Sequence, residues 1–279
     1  MTAIHFIEGR WVEGNPPLLG PMANAFWMAS TAFDGARAFA GVAPDLDRHA
    51  ARLVNSARVL GLEPMLTAGE IAAIAWDGIA KFPPGAGLYI RPLFYAEDGF
   101  VIPKPESTKF VLTLFDSPLP EPRGFTACLS TTRRPTPESA PTLAKAACLY
   151  PQNAEAMRRA RARGFSNAVV LDGLGHVAEF ATANLFLAKD GQVHTPAING
   201  CFLDGITRQR VIGLLRDRGV EVIERALTYA DVRDADEVFS TGNYAKVTPL
   251  IKIDARALQP GPFYRQAREL YFQWAKGCG

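Results

Sequence analysis

The sequence predicts an α+β protein with two subdomains, because strand-like and helix-like segments follow one another without a regular βαβ order. The chain has 279 residues, of which 48% are hydrophobic and 21% charged, a composition typical of a folded globular protein. At about 150 residues per domain, this length suits one large domain or two smaller ones. Residues 117–124 contain three prolines and a glycine, which predicts a stiff linker between domains at 1–116 and 125–279.

The N-terminal part predicts a small domain of strands and two helices. Apolar segments around a turn at residues 5–12 predict a β-hairpin, and residues 32–39 predict a second strand pair around a glycine. Helical spacing of apolar residues predicts a helix over 46–62. Thr67 and Glu70 have the spacing of a capping box, which predicts the start of the next helix. Further strands are expected at 88–95 and 110–115.

The C-terminal part predicts a larger domain that mixes both kinds of element. Helical patterns recur at 154–163, 207–217 and 262–276. Short apolar runs predict strands at 125–130, 168–171, 185–187, 220–223 and 236–241. Neither part of the sequence contains an internal repeat.

Charge and cysteine content exclude several classes of function. The net charge of +2 is too small for a field that attracts nucleic acid, and the arginines at 158–163 fit a solvated helix face. The four cysteines form no C-x-x-C pair and the histidines are scattered, so we expect reduced thiols, a cytoplasmic location and no metal site. No apolar run reaches the ~18 residues of a membrane span, and the N-terminus lacks a signal-peptide pattern. We therefore expect no membrane partner.

Lys145 is the first candidate for chemistry. It lies among small and apolar residues, which can desolvate an amine as a Schiff-base lysine requires. The same neighbours fit a lysine whose stem packs while its ammonium reaches solvent. Because Lys81, Lys246 and Lys252 have similar surroundings, local composition does not single out Lys145.

Three further patterns could bind a phosphorylated or aromatic ligand. Glu179 could face a pyridinium nitrogen, or it could be a solvent-facing strand residue. Thr207, at the start of a predicted helix, could bind phosphate or act as an ordinary N-cap. Gly242 follows a strand and permits close backbone approach to a ligand, although a simple tight turn explains it equally well.

Three arginines could bind anionic groups. Arg52 lies on the helix predicted over 46–62, where it could bind a phosphate or face solvent. Arg37 and Arg91 lie within apolar strands, where a guanidinium needs a partner. A substrate carboxylate and a structural salt bridge both satisfy that requirement.

The order and spacing of these residues resemble fold-type IV pyridoxal phosphate (PLP) enzymes over nearly the whole chain. Within that group, the pattern is most similar to branched-chain amino acid aminotransferases. The motifs that carry the resemblance are Phe33-Asp34-Gly35-x-Arg37, His49-x-x-Arg52-Leu53, Tyr89-x-Arg91-Pro92, Lys145 with Tyr150, Glu179 with Asn184, Leu203-x-Gly205-Ile206-Thr207-Arg208, and the segment from Ala235 to Gly242.

The resemblance implies a fold like that of D-amino acid transaminase, with a smaller N-terminal α/β domain and a larger C-terminal barrel-like α/β domain. Lys145 would bind PLP as a Schiff base and move the proton of the substrate α-carbon. The implied cofactor-binding residues are Arg52, Tyr150, Glu179, Asn184, Leu203, Gly205, Ile206, Thr207, Gly242 and Asn243. The implied substrate-binding residues are Met28, Phe33, Arg37, Tyr89, Arg91 and Tyr244, with Arg91 receiving the side-chain carboxylate of glutamate.

The implied activity is transamination between a branched-chain L-amino acid and 2-oxoglutarate in a homodimer. Three positions depart from the family pattern. Met28 stands where the branched-chain group usually has a tyrosine, Tyr244 where it has a small residue, and Asn243 where it has a phosphate-binding threonine. D-amino acid transaminase, (R)-selective amine transaminase and aminodeoxychorismate lyase therefore stay open as alternatives on the same fold.

A protein that keeps the fold but only binds a ligand is the alternative from another class. Such a protein has no use for a Schiff-base lysine. The joint presence of Lys145, Tyr150, Glu179 and Thr207 therefore favours an enzyme.

Overall fold

The computed structural model describes residues 3–278. Met1 and Thr2, which belong to the segment where no signal peptide is expected, and Gly279 lie outside the described residues. The chain forms two compact units. Unit 1 contains the described residues up to Leu119, Leu143–Leu149 and 275–278, and unit 2 contains Pro120–Thr142 and Tyr150–Trp274. The change at Leu119 falls within residues 117–124, while the domain limits of 1–116 and 125–279 stay a prediction.

Unit 1 contains a 6-stranded antiparallel sheet. Its strands are β1 (Ala3–Ile7), β2 (Arg10–Glu13), β3 (Thr31–Phe33), β4 (Ala36–Ala38), β5 (Leu88–Ala96) and β6 (Thr108–Asp116). They lie in the order β2-β1-β6-β5-β3, and β4 also pairs with β5. The predicted hairpin is present as β1 and β2. The strand pair predicted at 32–39 is wrong in its pairing, because β3 and β4 both bond to the long strand β5 and not to each other.

Three α-helices and two short 3-10 helices accompany this sheet. The α-helices are α1 (Asn24–Met28), α2 (Leu46–Val59) and α3 (Ala68–Ile79), and the 3-10 helices are Pro105–Ser107 and Ala147–Leu149. The capping box predicted for α3 is present, with Thr67 and Glu70 bonding to each other's backbone N–H groups. Leu53 of α2 and Ile71 of α3 are buried with Phe94 of β5 in one apolar cluster. That packing holds α2, and the residues on its buried face, against the sheet.

Unit 2 contains a mixed 9-stranded sheet. Its strands are β7 (Phe125–Arg133), β8 (Asn167–Leu171), β9 (Val177–Phe180), β10 (Asn184–Lys189), β11 (Gln192–Pro196), β12 (Val222–Arg225), β13 (Glu237–Gly242), β14 (Lys246–Ile253) and β15 (Arg256–Ala257). They lie in the order β12-β11-β10-β13-β14-β7-β8-β9, with β15 beside β14. The pairs β7–β8, β7–β14 and β11–β12 are parallel. This mixture confirms the predicted α+β class.

The helices of unit 2 are α4 (Tyr150–Ala162), α5 (Ile206–Arg216), α6 (Tyr229–Arg233) and α7 (Pro262–Ala275). The sequence patterns missed α1, α6, β9, β11, β14 and β15. The two helices have only 5 residues each, which is too short for a 3.6-residue periodicity to show. Strand β14 contains Pro249 and two lysines, residue types that are depleted in strands.

One edge of the sheet in unit 2 collects several of the candidate residues. Asn184 at the start of β10 pairs with Thr241 near the end of β13. Next along these two strands, Phe186 and Phe239 pair in register, and their rings stack with centroids 5.1 Å apart. The apolar pairing fixes the register, which brings the first residues of β10 beside the last residues of β13. Within residues 3–278, no helix is long and apolar enough to cross a membrane.

Candidate active site

Lys145 is held in unit 1 by its backbone. Its N–H donates to Ser56 Oγ at 3.0 Å, and its carbonyl accepts from the N–H of Phe33 at 3.0 Å. The neighbouring residues Ala32 and Ala146 form an isolated antiparallel bridge. The lysine Nζ lies 4.9 Å from the centroid of the Phe33 ring. An aromatic face and small buried neighbours give the amine the apolar surroundings that a Schiff-base lysine needs.

Asp34, beside Phe33, organises a buried polar network that also contains Arg52. Arg52 Nε and Nη2 donate to the two carboxylate oxygens at 2.7 and 2.9 Å. His49 Nδ1 and the N–H of Gly35 each lie 2.7 Å from Oδ1. Burial by itself raises the pKa of Asp34, but the charges and hydrogen bonds of Arg52 and His49 outweigh burial and hold that pKa well below its ordinary value. The carboxylate therefore fixes the direction of the Arg52 guanidinium.

Sequence reasoning quoted Asp34 and His49 in motifs but gave neither of them a role. A signal for this network existed, because His49 and Arg52 are three residues apart and lie on the same side of a helix. The identity of their shared carboxylate required the tertiary structure.

Arg37 is fully buried in β4. Its Nη2 donates to the carbonyl groups of Ser117 and Pro118, the latter at 3.0 Å. The guanidinium also lies 5.7 Å from the centroid of the Tyr89 ring. These contacts give Arg37 structural partners, and its predicted role toward substrate stays a prediction.

Tyr89 and Arg91 point to the same face of β5, as residues two apart in a strand do. The Tyr89 ring stacks on Phe115 of β6, with centroids 5.3 Å apart and an interplanar angle of 22°. The Arg91 guanidinium lies 5.8 Å from the centroid of Phe115, while the residue itself remains exposed. An exposed guanidinium beside aromatic rings can pair with a carboxylate.

Asn184 joins three candidate residues of unit 2. Its Nδ2 donates to the Leu203 carbonyl at 3.0 Å and lies 3.3 Å from Glu179 Oε2. A Cβ at Gly205 would come within 2.0 Å of Asn184 Oδ1. Only glycine therefore lets the segment before α5 approach Asn184 this closely. The contact joins the start of β10 to the N-terminus of α5.

Arg134 is a functional candidate that sequence reasoning missed. Its Nη2 lies 2.8 Å from Glu179 Oε1 and 3.2 Å from the Ala181 carbonyl, and its Nη1 donates to Asn153 Oδ1. Both oxygens of Glu179 thus have partners that fix the carboxylate. The sequence shows Arg134 only as a charged residue before a proline, so no local signal identifies Glu179 as its partner.

The N-terminus of α5 has the features of an anion site. Gly205 occupies the N-cap position, where it supplies no side-chain hydrogen bond, and the first turn contains no acidic residue. Thr207 is buried in that turn. The N–H groups of a first helical turn have no intrahelical partner, and the helix dipole favours negative charge there. This arrangement can bind a phosphate.

Arg208, by contrast, is a structural residue. It is almost fully buried and donates to Asp204, to Glu224 and to the Pro196 carbonyl at 2.8–2.9 Å. The pKa of Glu224 is lowered because hydrogen bonds and charge from Arg208 and Arg216 outweigh the effect of burial. These bonds attach α5 to β12.

The turn between β13 and β14 contains the last candidates. Asn243 is half-buried and Tyr244 is exposed. Lys246, which ends the turn, is buried and donates to Asn243 Oδ1 at 2.8 Å. The sequence had marked Lys246 only as another lysine with apolar neighbours.

The structure therefore brings together two groups of predicted residues. Unit 1 places Lys145 beside Phe33, and Arg52 beside Asp34. Unit 2 brings Glu179, Asn184, Leu203 and Gly205 into one cluster. Tyr150 is the first residue of α4, and Met28 is an exposed residue at the end of α1. Among residues 3–278, no group of three or more His, Cys, Asp or Glu side chains is arranged to bind a metal ion.

A mixed α+β fold, a lysine against an aromatic ring in unit 1 and a helix N-terminus suited to phosphate in unit 2 agree with an enzyme of the aminotransferase type. The chain belongs to the amino-transferase class IV family, whose model matches residues 31–253. The prediction of a fold-type IV aminotransferase is thereby confirmed.

Individual relatives agree with this family. A probable branched-chain-amino-acid aminotransferase of Aquifex aeolicus is 34% identical, over 98% of this chain and 92% of the relative. The structure of an aminotransferase from Brucella abortus bound to PLP has a TM-score of 0.98 and 51% identity, and the match covers 99% of this chain and 100% of that one. The branched-chain amino acid aminotransferase of Escherichia coli has a TM-score of 0.93 and 28% identity, covering 99% and 96%.

Proposed function

We propose that this chain is a PLP-dependent aminotransferase that acts on branched-chain L-amino acids, with 2-oxoglutarate as the amino acceptor. The observation that carries the proposal is the placement of Lys145, whose backbone is bonded on both sides and whose amine lies on the Phe33 ring. Relatives named as branched-chain aminotransferases, matched over nearly their whole length, support the substrate class.

The residues of unit 2 fit PLP. A phosphate needs N–H donors and positive potential, which the N-terminus of α5 supplies. The buried Nδ2 of Asn243 has no hydrogen-bond partner within residues 3–278, so it is a further donor for an anionic oxygen. The carboxylate of Glu179, fixed by Arg134 and Asn184, suits the protonated ring nitrogen.

PLP, when bound, supplies an electron sink for the negative charge that develops at the substrate α-carbon. The Lys145 amine would take the proton from that carbon when the amino acid reacts. It would return a proton to the same carbon when a keto acid is converted to an amino acid. Glu179 would keep a proton on the ring nitrogen, and Tyr150 would donate to the ring hydroxyl. The candidates for binding the phosphate are Arg52, which Asp34 orients, and Thr207.

The same site must accept an apolar side chain and the longer acidic one of glutamate. Phe33 would contact the apolar side chain. Arg91 is exposed beside Phe115, so its guanidinium would pair with the distal carboxylate that only the acidic substrate carries. Tyr89 and the turn at Gly242 to Tyr244 are the candidates for binding the α-carboxylate. Met28 and Tyr244 are the positions at which the preference could move to D-amino acids or (R)-amines.

An absorption spectrum of the protein with PLP tests the proposal directly. L-leucine, L-valine, D-alanine and (R)-1-phenylethylamine are added separately, and conversion of the PLP band to that of pyridoxamine phosphate is followed. We expect conversion with L-leucine or L-valine. Conversion only with D-alanine or the amine would still support an aminotransferase but would refute the branched-chain assignment. Failure to take up PLP at all would refute the enzyme.

We also propose that the protein is a homodimer, on the basis of an apolar patch in unit 1. Trp27 of α1 packs against Phe100 with ring centroids 5.2 Å apart, and Asn24 Nδ2 donates to the Phe100 carbonyl at 2.6 Å. The exposed members of the patch are Met22, Phe26, Trp27, Met28, Phe100, Val101 and Ile102. Exposed apolar side chains from two segments that contact each other are typical of an association site.

Light scattering after size-exclusion chromatography tests the dimer. The double variant Phe100→Ser and Ile102→Ser should have half the measured mass of the wild type. The matched control is Leu174→Ser, which changes a leucine of unit 2 that is 85% exposed and should leave the mass unchanged. A wild-type monomer, or a double variant that stays dimeric, would count against this surface.

We propose a cytoplasmic location because the cysteines are placed as free thiols. None of the four cysteines, which all lie within residues 3–278, forms a disulfide. Burial raises the pKa of the Cys128 and Cys201 thiols, so both remain protonated and unreactive at neutral pH. Reduced thiols are typical of the cytoplasm, and fractionation with an antibody would test the location.

A further inference from the structure

Lys246 is a buried lysine with an uncommon backbone conformation. It is 1% exposed, and its φ of 61° is in the left-handed region that residues with a side chain rarely adopt. A buried ammonium is unfavourable unless polar groups compensate its charge. Lys246 Nζ donates to Asn243 Oδ1 at 2.8 Å and lies 5.7 Å from the centroid of the Tyr271 ring. The backbone of the turn thus places this ammonium within hydrogen-bond distance of the Asn243 side chain.

The hydrogen bond determines which way the Asn243 amide points. An ammonium has only donors, so the carbonyl oxygen of Asn243 must face Lys246. The amide nitrogen is then at the opposite end of the group. Nδ2 is buried, and it has no hydrogen-bond partner among the groups of residues 3–278. A buried N–H group without an acceptor is unfavourable, so the turn leaves one buried donor that a bound group could satisfy.

We propose that Lys246 is a positioning residue, which locks the Asn243 amide with its N–H groups toward an anionic oxygen of the bound ligand. This inference rests on the proposed function, in which two groups carry such oxygens, the phosphate of PLP and the carboxylate of the amino acid. It also explains the departure at position 243. A threonine hydroxyl rotates to donate wherever an acceptor lies, whereas an asparagine has one end of each kind and needs a partner to orient it.

The first experiment compares Lys246→Met with Lys252→Met. Both lysines belong to β14, and Lys252 is exposed, so the second variant controls for loss of a charge from the same strand. Dissociation constants are measured on the apoprotein for PLP and for pyridoxal, which lacks the phosphate, and on the loaded protein for L-leucine. Lys246→Met should raise the dissociation constant of one anionic ligand by roughly tenfold, the loss typical of a hydrogen bond to a charged group. Lys252→Met should change none of the three constants.

The arms of this experiment identify the anion. If Asn243 donates to the phosphate, PLP binding weakens while pyridoxal binding stays the same. If Asn243 donates to the substrate carboxylate, L-leucine binding weakens while PLP binding stays the same. Unchanged constants, or equal weakening of PLP and pyridoxal, would overturn the inference.

A double-mutant cycle separates orientation from a merely structural effect. In an Asn243→Ala background there is no amide to orient, so Lys246→Met should cause no further loss of anion affinity. In an Asn243→Thr background, the hydroxyl should make PLP affinity insensitive to Lys246→Met. Equal losses in all backgrounds would show that Lys246 acts without Asn243 and would overturn the proposal.

Asn243→Asp covers the case in which Lys246→Met does not fold. This variant keeps an oxygen that accepts from Lys246, so the turn should stay intact, but it has no amide N–H group. It should therefore weaken the binding of the same anionic ligand that Lys246→Met affects. Unchanged anion affinity in Asn243→Asp would overturn the role of the amide. A wild-type protein that bound neither PLP nor amino donor would overturn the proposed function and this inference together. Normal ligand binding that is unchanged by substitution of Lys246 would overturn only the inference.

Discussion

Replacement of Asp34 by asparagine should destabilise the protein strongly, because the structure shows a fully buried carboxylate with four hydrogen-bond contacts. The asparagine has almost the same volume, so the variant removes the charge and one of the two acceptor oxygens without leaving a cavity. Its NH₂ group would have to face Arg52 or His49. Removal of one partner from a buried charged pair costs about 3–5 kcal/mol.

The lower end of that range applies here, since the Arg52 side chain is 19% exposed and water can partly solvate it in the variant. We therefore expect a loss of about 3 kcal/mol in the free energy of unfolding. For a chain of this size, that corresponds to a fall in Tm of roughly 6–12 °C. Urea denaturation and calorimetry measure both values. Asp47→Asn is the control, because Asp47 is an exposed residue of the first turn of α2 and should cost less than about 1 kcal/mol.

The pH dependence of the difference gives the refuting result. The folded protein holds the pKa of Asp34 below its ordinary value, so the unfolded chain binds this proton more tightly. The stabilisation is therefore complete above the unfolded pKa of about 3.9 and decreases as pH falls toward the lower folded pKa. Wild type and Asp34→Asn should differ most at neutral pH and converge in acid. A difference below about 0.5 kcal/mol at pH 7, or one that grows in acid, would refute the reasoning.

Three other substitutions test separate parts of the site. Lys145→Ala should abolish turnover, and borohydride should no longer trap PLP covalently on the protein. Covalently trapped PLP in the variant would show that another lysine reacts. Arg91→Ala should raise KM for 2-oxoglutarate by about tenfold or more and change KM for 4-methyl-2-oxopentanoate little; equal losses would contradict its role. Gly205→Ala should lower the free energy of unfolding by about 1–3 kcal/mol, because its Cβ would meet Asn184 Oδ1 at 2.0 Å. Gly213→Ala on the same helix has open space and should stabilise by up to about 1 kcal/mol.

Local sequence signals were sufficient for the elements with long patterns. Helix α3 begins after the capping box that Thr67 and Glu70 predict, and the first hairpin is present as β1 and β2. The strands at 32–39 show where such signals fail. Both are short, and their partner is β5, because a long buried strand offers more backbone hydrogen bonds than a three-residue neighbour does.

The candidate site residues come from the family resemblance, and that resemblance did not give their partners. Glu179 and Asn184 lie five positions apart, and the structure brings them within 3.3 Å. Arg134, which bonds Glu179, carried no local signal because nothing in the loop around it specifies a distant carboxylate. Lys246 had the same neighbours as other lysines, and only its burial and its bond to Asn243 distinguish it.

By itself, the sequence predicted the α+β class and the family, both of which are confirmed, and it supplied candidate residues for the chemistry, because these depend on local patterns and on their order along the chain. The tertiary structure decided which groups orient them. Ser56 bonds the backbone of Lys145 from 89 positions away, and Asp34 receives His49 from 15 positions away. Folding of the strands and helices sets such distances, so the charge on Asp34 and the direction of the Asn243 amide follow from packing and not from any local stretch of sequence.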